Sequence, residues 1–115
     1  MEKLPFTEEK PWGWFRTFAL NEVSTVKLLF IKKGEVFSLQ KHQNRDEFWR
    51  VLVGNPEIVI GERTISAKPA DEFVIDREVE HRIHAPTNDV EVLEISRGEF
   101  DENDNERIED KYGRT

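Results

Sequence analysis

Between Gly34 and Gly54 the chain reads G-x7-H-x-N-x2-E-x6-G, with the polar side chains at His42, Asn44 and Glu47. A second histidine, His81, lies far downstream, followed by His84. An imidazole, a carboxylate and a second imidazole brought together by strand pairing make a divalent-metal site. Zinc is the first expectation, and nickel, cobalt, iron or manganese suit the same donors. Asn44 would be a further ligand through its amide oxygen, weaker than imidazole for zinc-like ions. Without it, His42, Glu47 and His81 form a triad that leaves positions open for water or substrate. Gln40, two residues before His42, is a further donor on the same strand face.

Each of these residues also has a bland reading. His42 is flanked by polar residues and could be an exposed loop histidine. Glu47 could be a solvated residue at a strand end. His81 lies between Glu80 and Arg82, a setting for a surface ion pair. A barrel that has lost its metal is the corresponding alternative for the whole site. Trp12, Trp14 and Trp49 are expected in the core by residue type, with Trp49 as an alternative wall of a pocket.

The elements that must position these residues have the period of strands. Val26–Ile31, Val36–His42, Phe48–Val53, Glu57–Ile60, Thr64–Ala67, Phe73–Ile75, His81–Ile83 and Val90–Ile95 are short, rich in β-branched and apolar residues, and divided by turn residues. That rhythm predicts an all-β sandwich or barrel of the jelly-roll kind. The tail is expected to form at most a turn or two of helix near Glu106 to Lys111. A period of two puts Val36, Ser38, Gln40 and His42 inside, with Glu47, Trp49, Val51 and Val53, and with Val79, His81 and Ile83. Phe37, Leu39, Phe48 and Leu52 then form an apolar outer face, on which a homodimer is expected.

At 115 residues the chain is expected to be one domain. It has no cysteine, which excludes disulfides and thiolate chemistry. No apolar run approaches the ~20 residues of a membrane helix, and Met1 to Pro5 lacks the pattern of a signal peptide. A cytoplasmic protein with no membrane partner is expected. The formal charge is −7, and Glu99 to Asp110 hold seven acidic residues against one base, Arg107. That balance argues against a nucleic-acid partner. It leaves room for a small phosphorylated ligand, which one or two arginines can hold.

The segment from Gly34 to Gly54 resembles the first metal motif of the cupins. Pro11-Trp12-Gly13-Trp14, Gly98-Glu99-Phe100 and Glu109-Asp110-Lys111-Tyr112-Gly113-Arg114 narrow the resemblance to the type II mannose-6-phosphate isomerases. That family also supplies the C-terminal cupin domain of bifunctional mannose-1-phosphate guanylyltransferases. The sequence departs from the family pattern at Asn44 and Phe48, where histidines are usual, at Ala70 in the Lys-Pro-Gly turn, and along Asp76 to Glu80.

The resemblance implies a single-domain cupin, a double-stranded β-helix. The barrel would span about residues 23–97, with an N-terminal extension over 1–22 and an acidic tail over 98–115. It implies aldose–ketose isomerisation of a sugar phosphate of the mannose 6-phosphate to fructose 6-phosphate type, with the metal stabilising enediolate charge. Under that reading Arg82 would stabilise charge or move a proton. Arg45 or Lys41 would hold phosphate, and Trp49 and Gln40 would contact the sugar. The alternatives are a metal-poor sugar or nucleotide-sugar binding cupin and an iron(II) oxygenase using the same triad.

Overall fold

The structure is a computed structural model and describes residues 4–101 and 103–113. Arg114, the last residue of the tail motif, lies outside the described residues, as do Met1 to Lys3. Eleven strands occur among the described residues: β1 (Phe6–Lys10), β2 (Gly13–Thr17), β3 (Ser24–Ile31), β4 (Leu39–Lys41), β5 (Arg45–Val53), β6 (Glu57–Ile60), β7 (Arg63–Ser66), β8 (Glu72–Ile75), β9 (His81–His84), β10 (Val90–Gly98) and β11 (Glu106–Glu109). No helix forms among them. One sheet has the order β3-β10-β5-β8 and another β11-β4-β9-β6-β7, while β1 and β2 make a separate hairpin. The non-sequential neighbours are those of a cupin, a double-stranded β-helix.

The alternation along β5 and β10 explains why the two larger sheets bury a common core. Trp49 and Val51 of β5 and Val90 and Val92 of β10 project to the same side. There they meet Ile58, Ile60 and Ile83 from the other sheet. Two glycines permit close approaches at the ends of β10's pairing. Gly54 has φ +86°, and a Cβ there would lie 2.2 Å from the Asp89 carbonyl oxygen. At Gly98 a Cβ would lie 2.7 Å from the Asn44 carbonyl oxygen, so glycine lets β10 end against the loop that precedes Glu47.

Three expectations are corrected here. First, Phe37, Leu39, Phe48 and Leu52 do not make one exposed apolar face. Strand geometry breaks between Val36 and Leu39, so Phe37 turns inward beside Ser38 and meets Trp49 edge-on at 6.1 Å. Phe48 faces the outer side but is only 4% exposed. Phe18, just after the hairpin, covers it with ring centroids 5.5 Å apart. Arg16 ties the hairpin to Glu72, which also bonds Arg50, and Arg97 donates to the Phe18 carbonyl. The homodimer expected on that face therefore loses its stated basis. Second, Trp12 and Trp14 are exposed on the hairpin rather than buried in the core. Third, the tail is a strand: β11 pairs with β4, Glu106 opposite Lys41 and Arg107 opposite Gln40.

Because Phe48 is covered by its own chain, Phe48→Ala should cost about 3–5 kcal/mol of stability. Leu52, which is 42% exposed, should lose under about 1 kcal/mol on truncation to alanine. Urea denaturation at two protein concentrations checks both. Equal costs, or a Phe48 loss that changes with concentration, would contradict the assignment of Phe18 as the cover.

Candidate metal centre

The strand ends bring three of the expected residues together. His42 follows β4 directly, His81 opens β9 opposite Gln40, and Glu47 is the third residue of β5 on the facing sheet. One ligand atom from each of His42, Glu47 and His81 lies within 4.8 Å of the others, and all three residues are buried. The imidazole rings are 4.9 Å apart between centroids.

Hydrogen bonds to main-chain carbonyls orient both rings. His42 Nδ1 lies 2.7 Å from the Asp104 carbonyl oxygen, and His81 Nδ1 lies 3.0 Å from that of Val79. A carbonyl can only accept, so each Nδ1 carries the hydrogen and each Nε2 is left to face Glu47. Metal-bound histidines are commonly fixed in this way. His81 Nε2 is buried with no hydrogen-bond partner among the described residues. His42 Nε2 is 2.9 Å from Glu47 Oε1, a separation that needs a proton or a cation between the atoms. Arg45 approaches the same pair, with Nη2 3.2 Å from His42 Nε2 and Nε 3.3 Å from Glu47 Oε1. The guanidinium satisfies His42 and Glu47 and leaves His81 unsatisfied. Two imidazole nitrogens and a carboxylate, one nitrogen orphaned, fit a divalent ion.

A second carboxylate adjoins the triad. Trp49 Nε1 lies 3.2 Å from Glu47 Oε2 and 3.1 Å from Glu94 Oε2, donating to both. Burial favours the neutral form of each acid. For Glu47 it is outweighed by the close approach of the His42 and Glu94 side chains and by its electrostatic interaction with the two imidazoles. Its carboxyl is held well below the usual carboxylate range. Glu94 goes the other way: burial first, then the hydrogen bond and charge of Glu47, push it up to about 8. Burial also lowers the His81 pKa, which keeps the ring neutral and its lone pair available.

His42, Glu47 and Glu94 border a cavity of about 330 Å³, lined by Gln40 and Arg45 beside the first two and by Lys27 and Asn105 elsewhere, while His81 and Trp49 lie behind its wall. Leu29, Ile31 and Phe37 supply apolar wall. The sequence reading missed Lys27, Glu94 and Asn105. Glu94 was detectable: it shares the inward phase of Val90 and Val92, where a carboxylate is out of place. Lys27 similarly interrupts an apolar run. Asn105 carries no such signal.

Four expected site residues are placed elsewhere. Asn44 sits on the exposed turn between His42 and Arg45, its N–H donated to Asp104, so it does not join the triad. Arg82 alternates with His81 and projects from the opposite face, toward the Phe37 carbonyl and Glu109. Lys41 alternates with His42 and pairs with Glu106. Trp49 is 0% exposed, so it supports the two carboxylates from behind and presents no surface to a sugar.

Residues 3–110 match the mannose-6-phosphate isomerase C-terminal family. The chain is 33% identical over 108 residues to xanthan biosynthesis protein XanB of Xanthomonas campestris, covering 92% of this chain and 23% of that protein. It is 31% identical over 107 residues to a mannose-1-phosphate guanylyltransferase of Klebsiella pneumoniae, covering 91% and 23%. The chain thus spans less than a quarter of the length of these curated relatives. Among solved structures, oxalate decarboxylase from Bacillus subtilis superposes with a TM-score of 0.69 at 19% identity, over 76% of this chain and 24% of that one. That likeness concerns the fold. Among the described residues no helix is long and apolar enough to cross a membrane.

The raised Glu94 pKa sets a pH dependence with a definite sign. The folded state holds this proton more tightly than the unfolded one. The stability it contributes is complete below the ordinary value of 4.5 and is lost as pH rises through about 8. Glu94→Gln keeps an acceptor for Trp49 and removes the ionisation. In metal-free protein the variant should gain on the wild type between about pH 5 and about pH 9, by roughly 1 kcal/mol or more. Urea titrations at both pH values measure it, and parallel profiles would show that Glu94 ionises normally.

Proposed function

Because the chain belongs to the mannose-6-phosphate isomerase C-terminal family, we propose that its cavity interconverts the aldose and ketose forms of a sugar phosphate, of the mannose 6-phosphate to fructose 6-phosphate type. The observation that carries this reading is the pair of Nδ1-anchored histidines grouped with Glu47 beside a cavity whose wall holds His42, Glu47 and Glu94. His42, Glu47 and His81 would hold a divalent ion. When bound, such an ion supplies charge stabilisation to adjacent oxygens of a sugar undergoing enolisation.

The other steps belong to this chain's own side chains. A proton must leave one sugar carbon and reach its neighbour, which calls for an acid–base group with a pKa near the working pH. Glu94 is the cavity carboxyl in that range, and its Oε2 is fixed by Trp49. Lys27 and Arg45 both stand over the Phe100 ring, at 4.1 and 4.5 Å from its centroid. They place two cations on the cavity wall, where an anionic phosphate would be held. The amides of Gln40 and Asn105 suit sugar hydroxyls, and Leu29, Ile31 and Phe37 limit water. Arg82 is given no part, because it projects away.

One observation favours a second reading. Arg45 already supplies a cation to His42 and Glu47, as a metal-poor cupin that only binds a sugar phosphate would require.

Incubation with mannose 6-phosphate and a divalent metal in deuterated water should yield the ketose, with deuterium at C2 of recovered substrate. Glu94→Gln should lower turnover by about 10²-fold or more, and Arg82→Ala should leave it within a few-fold. Calorimetric binding of the sugar phosphate with neither exchange nor ketose, across several metals, would favour the binding module and overturn the isomerase.

A further inference from the structure

The loop carrying His42 is held by one residue of the acidic tail, about sixty positions away in sequence. Asp104 makes three contacts with three consecutive residues. Its carbonyl oxygen accepts from His42 Nδ1 at 2.7 Å, its Oδ1 accepts from the Gln43 N–H at 2.8 Å, and its Oδ2 accepts from the Asn44 N–H at 2.8 Å. The turn that presents Asp104 is itself braced. The Asp104 N–H bonds the Asp101 carbonyl, which also accepts from Arg45 Nη1. Beyond it, β11 pairs with β4 directly upstream of His42.

These contacts act on a single quantity, the direction of the His42 Nε2 lone pair. The main-chain carbonyl decides which nitrogen carries the hydrogen. The carboxylate fixes the main chain on which the ring is mounted. We propose that Asp104 is a positioning residue for the metal centre: it clamps the 42–44 loop so that His42 keeps its hydrogen on Nδ1 and aims Nε2 at Glu47. The inference rests on the metal reading given above. It assigns a chemical task to the acidic tail, which on sequence alone is excess negative charge.

Partners that orient a metal-bound histidine typically change affinity 10- to 100-fold when removed, so Asp104→Ala should weaken zinc binding by about 10-fold or more. Its main-chain carbonyl remains, and the loss comes from releasing the loop. Asp104→Asn keeps an acceptor for one of the two amides and should fall between wild type and alanine. Glu106→Ala, which removes tail charge without touching the loop, should bind as wild type does. Zinc titration by calorimetry reads affinity, and ¹⁵N spectra of the His42 ring in metal-free protein read the tautomer. The expected result is a Nδ1–H ring in the wild type and loss of that preference in Asp104→Ala. If the wild type binds zinc and Asp104→Ala binds equally with an unchanged tautomer, the positioning role is overturned while the metal centre stands. If no variant takes up zinc, both fall. A similar loss in Glu106→Ala would reassign the effect to general tail charge and also overturn the proposal. Should the alanine variant fail to fold, Asp104→Asn against Glu106→Ala decides on the same measures.

Discussion

A buried carboxylate facing two imidazole nitrogens is the constraint around which the two larger sheets are organised. Glu47 is 3% exposed and ionised, and an unpaired charge in such a place is costly. It is tolerated because groups from separate parts of the chain converge on it. His42 comes from the end of β4, His81 from the start of β9, Arg45 from β5 and Trp49 Nε1 from the same strand four residues on. Removing one partner would leave the others with unmet polar atoms, a larger cost than the contact itself is worth. The polar interior thus ties the two sheets together at one end, while Ile58, Ile83, Val90 and Val92 do so by packing at the other.

The segments outside the two sheets' core serve its two ends differently. The β1–β2 hairpin works on the outer face, where Phe18 covers Phe48 and Arg16 engages the Glu72–Arg50 pair. The tail works at the cavity. Phe100 provides the ring on which Lys27 and Arg45 stand, Asp104 holds the His42 loop, and Asn105 reaches the cavity wall. Tyr112 and Lys111 then fasten the tail's far end to Glu35. A tail carrying this much negative charge would be expelled from an acidic surface. It stays because its acids meet main-chain N–H groups and basic side chains, as at Asp104 and at Glu106 beside Lys41.

Sequence made the all-β fold and most of its inward faces readable because period-two alternation is a local property, and the triad followed from the spacing of His42 and Glu47 with a distant His81. What it could not show was long-range contact. Phe37 and Phe48 both looked like outer-face residues. One is turned in by a break in the strand, and the other is covered by Phe18, thirty positions away. Arg82 looked catalytic because it adjoins His81, yet adjacency on a strand is what sends it to the opposite face. Asn44 stood at a ligand's position in the motif, but the turn it occupies is directed by Asp104, whose role depends on a pairing of β11 with β4 that no local pattern announces. Glu94 was readable in principle, as a carboxylate in the inward phase of an apolar strand.

The charges around the cavity differ in sign from the formal charge of −7 carried by the whole protein. With Glu94 protonated, the cavity holds one carboxylate, Glu47, against two cationic side chains, Arg45 and Lys27. The local balance is positive although the molecule is acidic, and local charge in a low-dielectric recess governs what enters. Occupation of the triad by a dication would change that balance further. Arg45 contacts Glu47 Oε1 and His42 Nε2, so an ion held by the triad would compete with the guanidinium for the same lone pairs. A guanidinium released from Glu47 gains a free fork of N–H donors beside the Phe100 ring, within the cavity that the phosphate would enter. Metal binding and anion binding would then favour one another. The coupling runs through the single side chain that serves the triad when no metal is there.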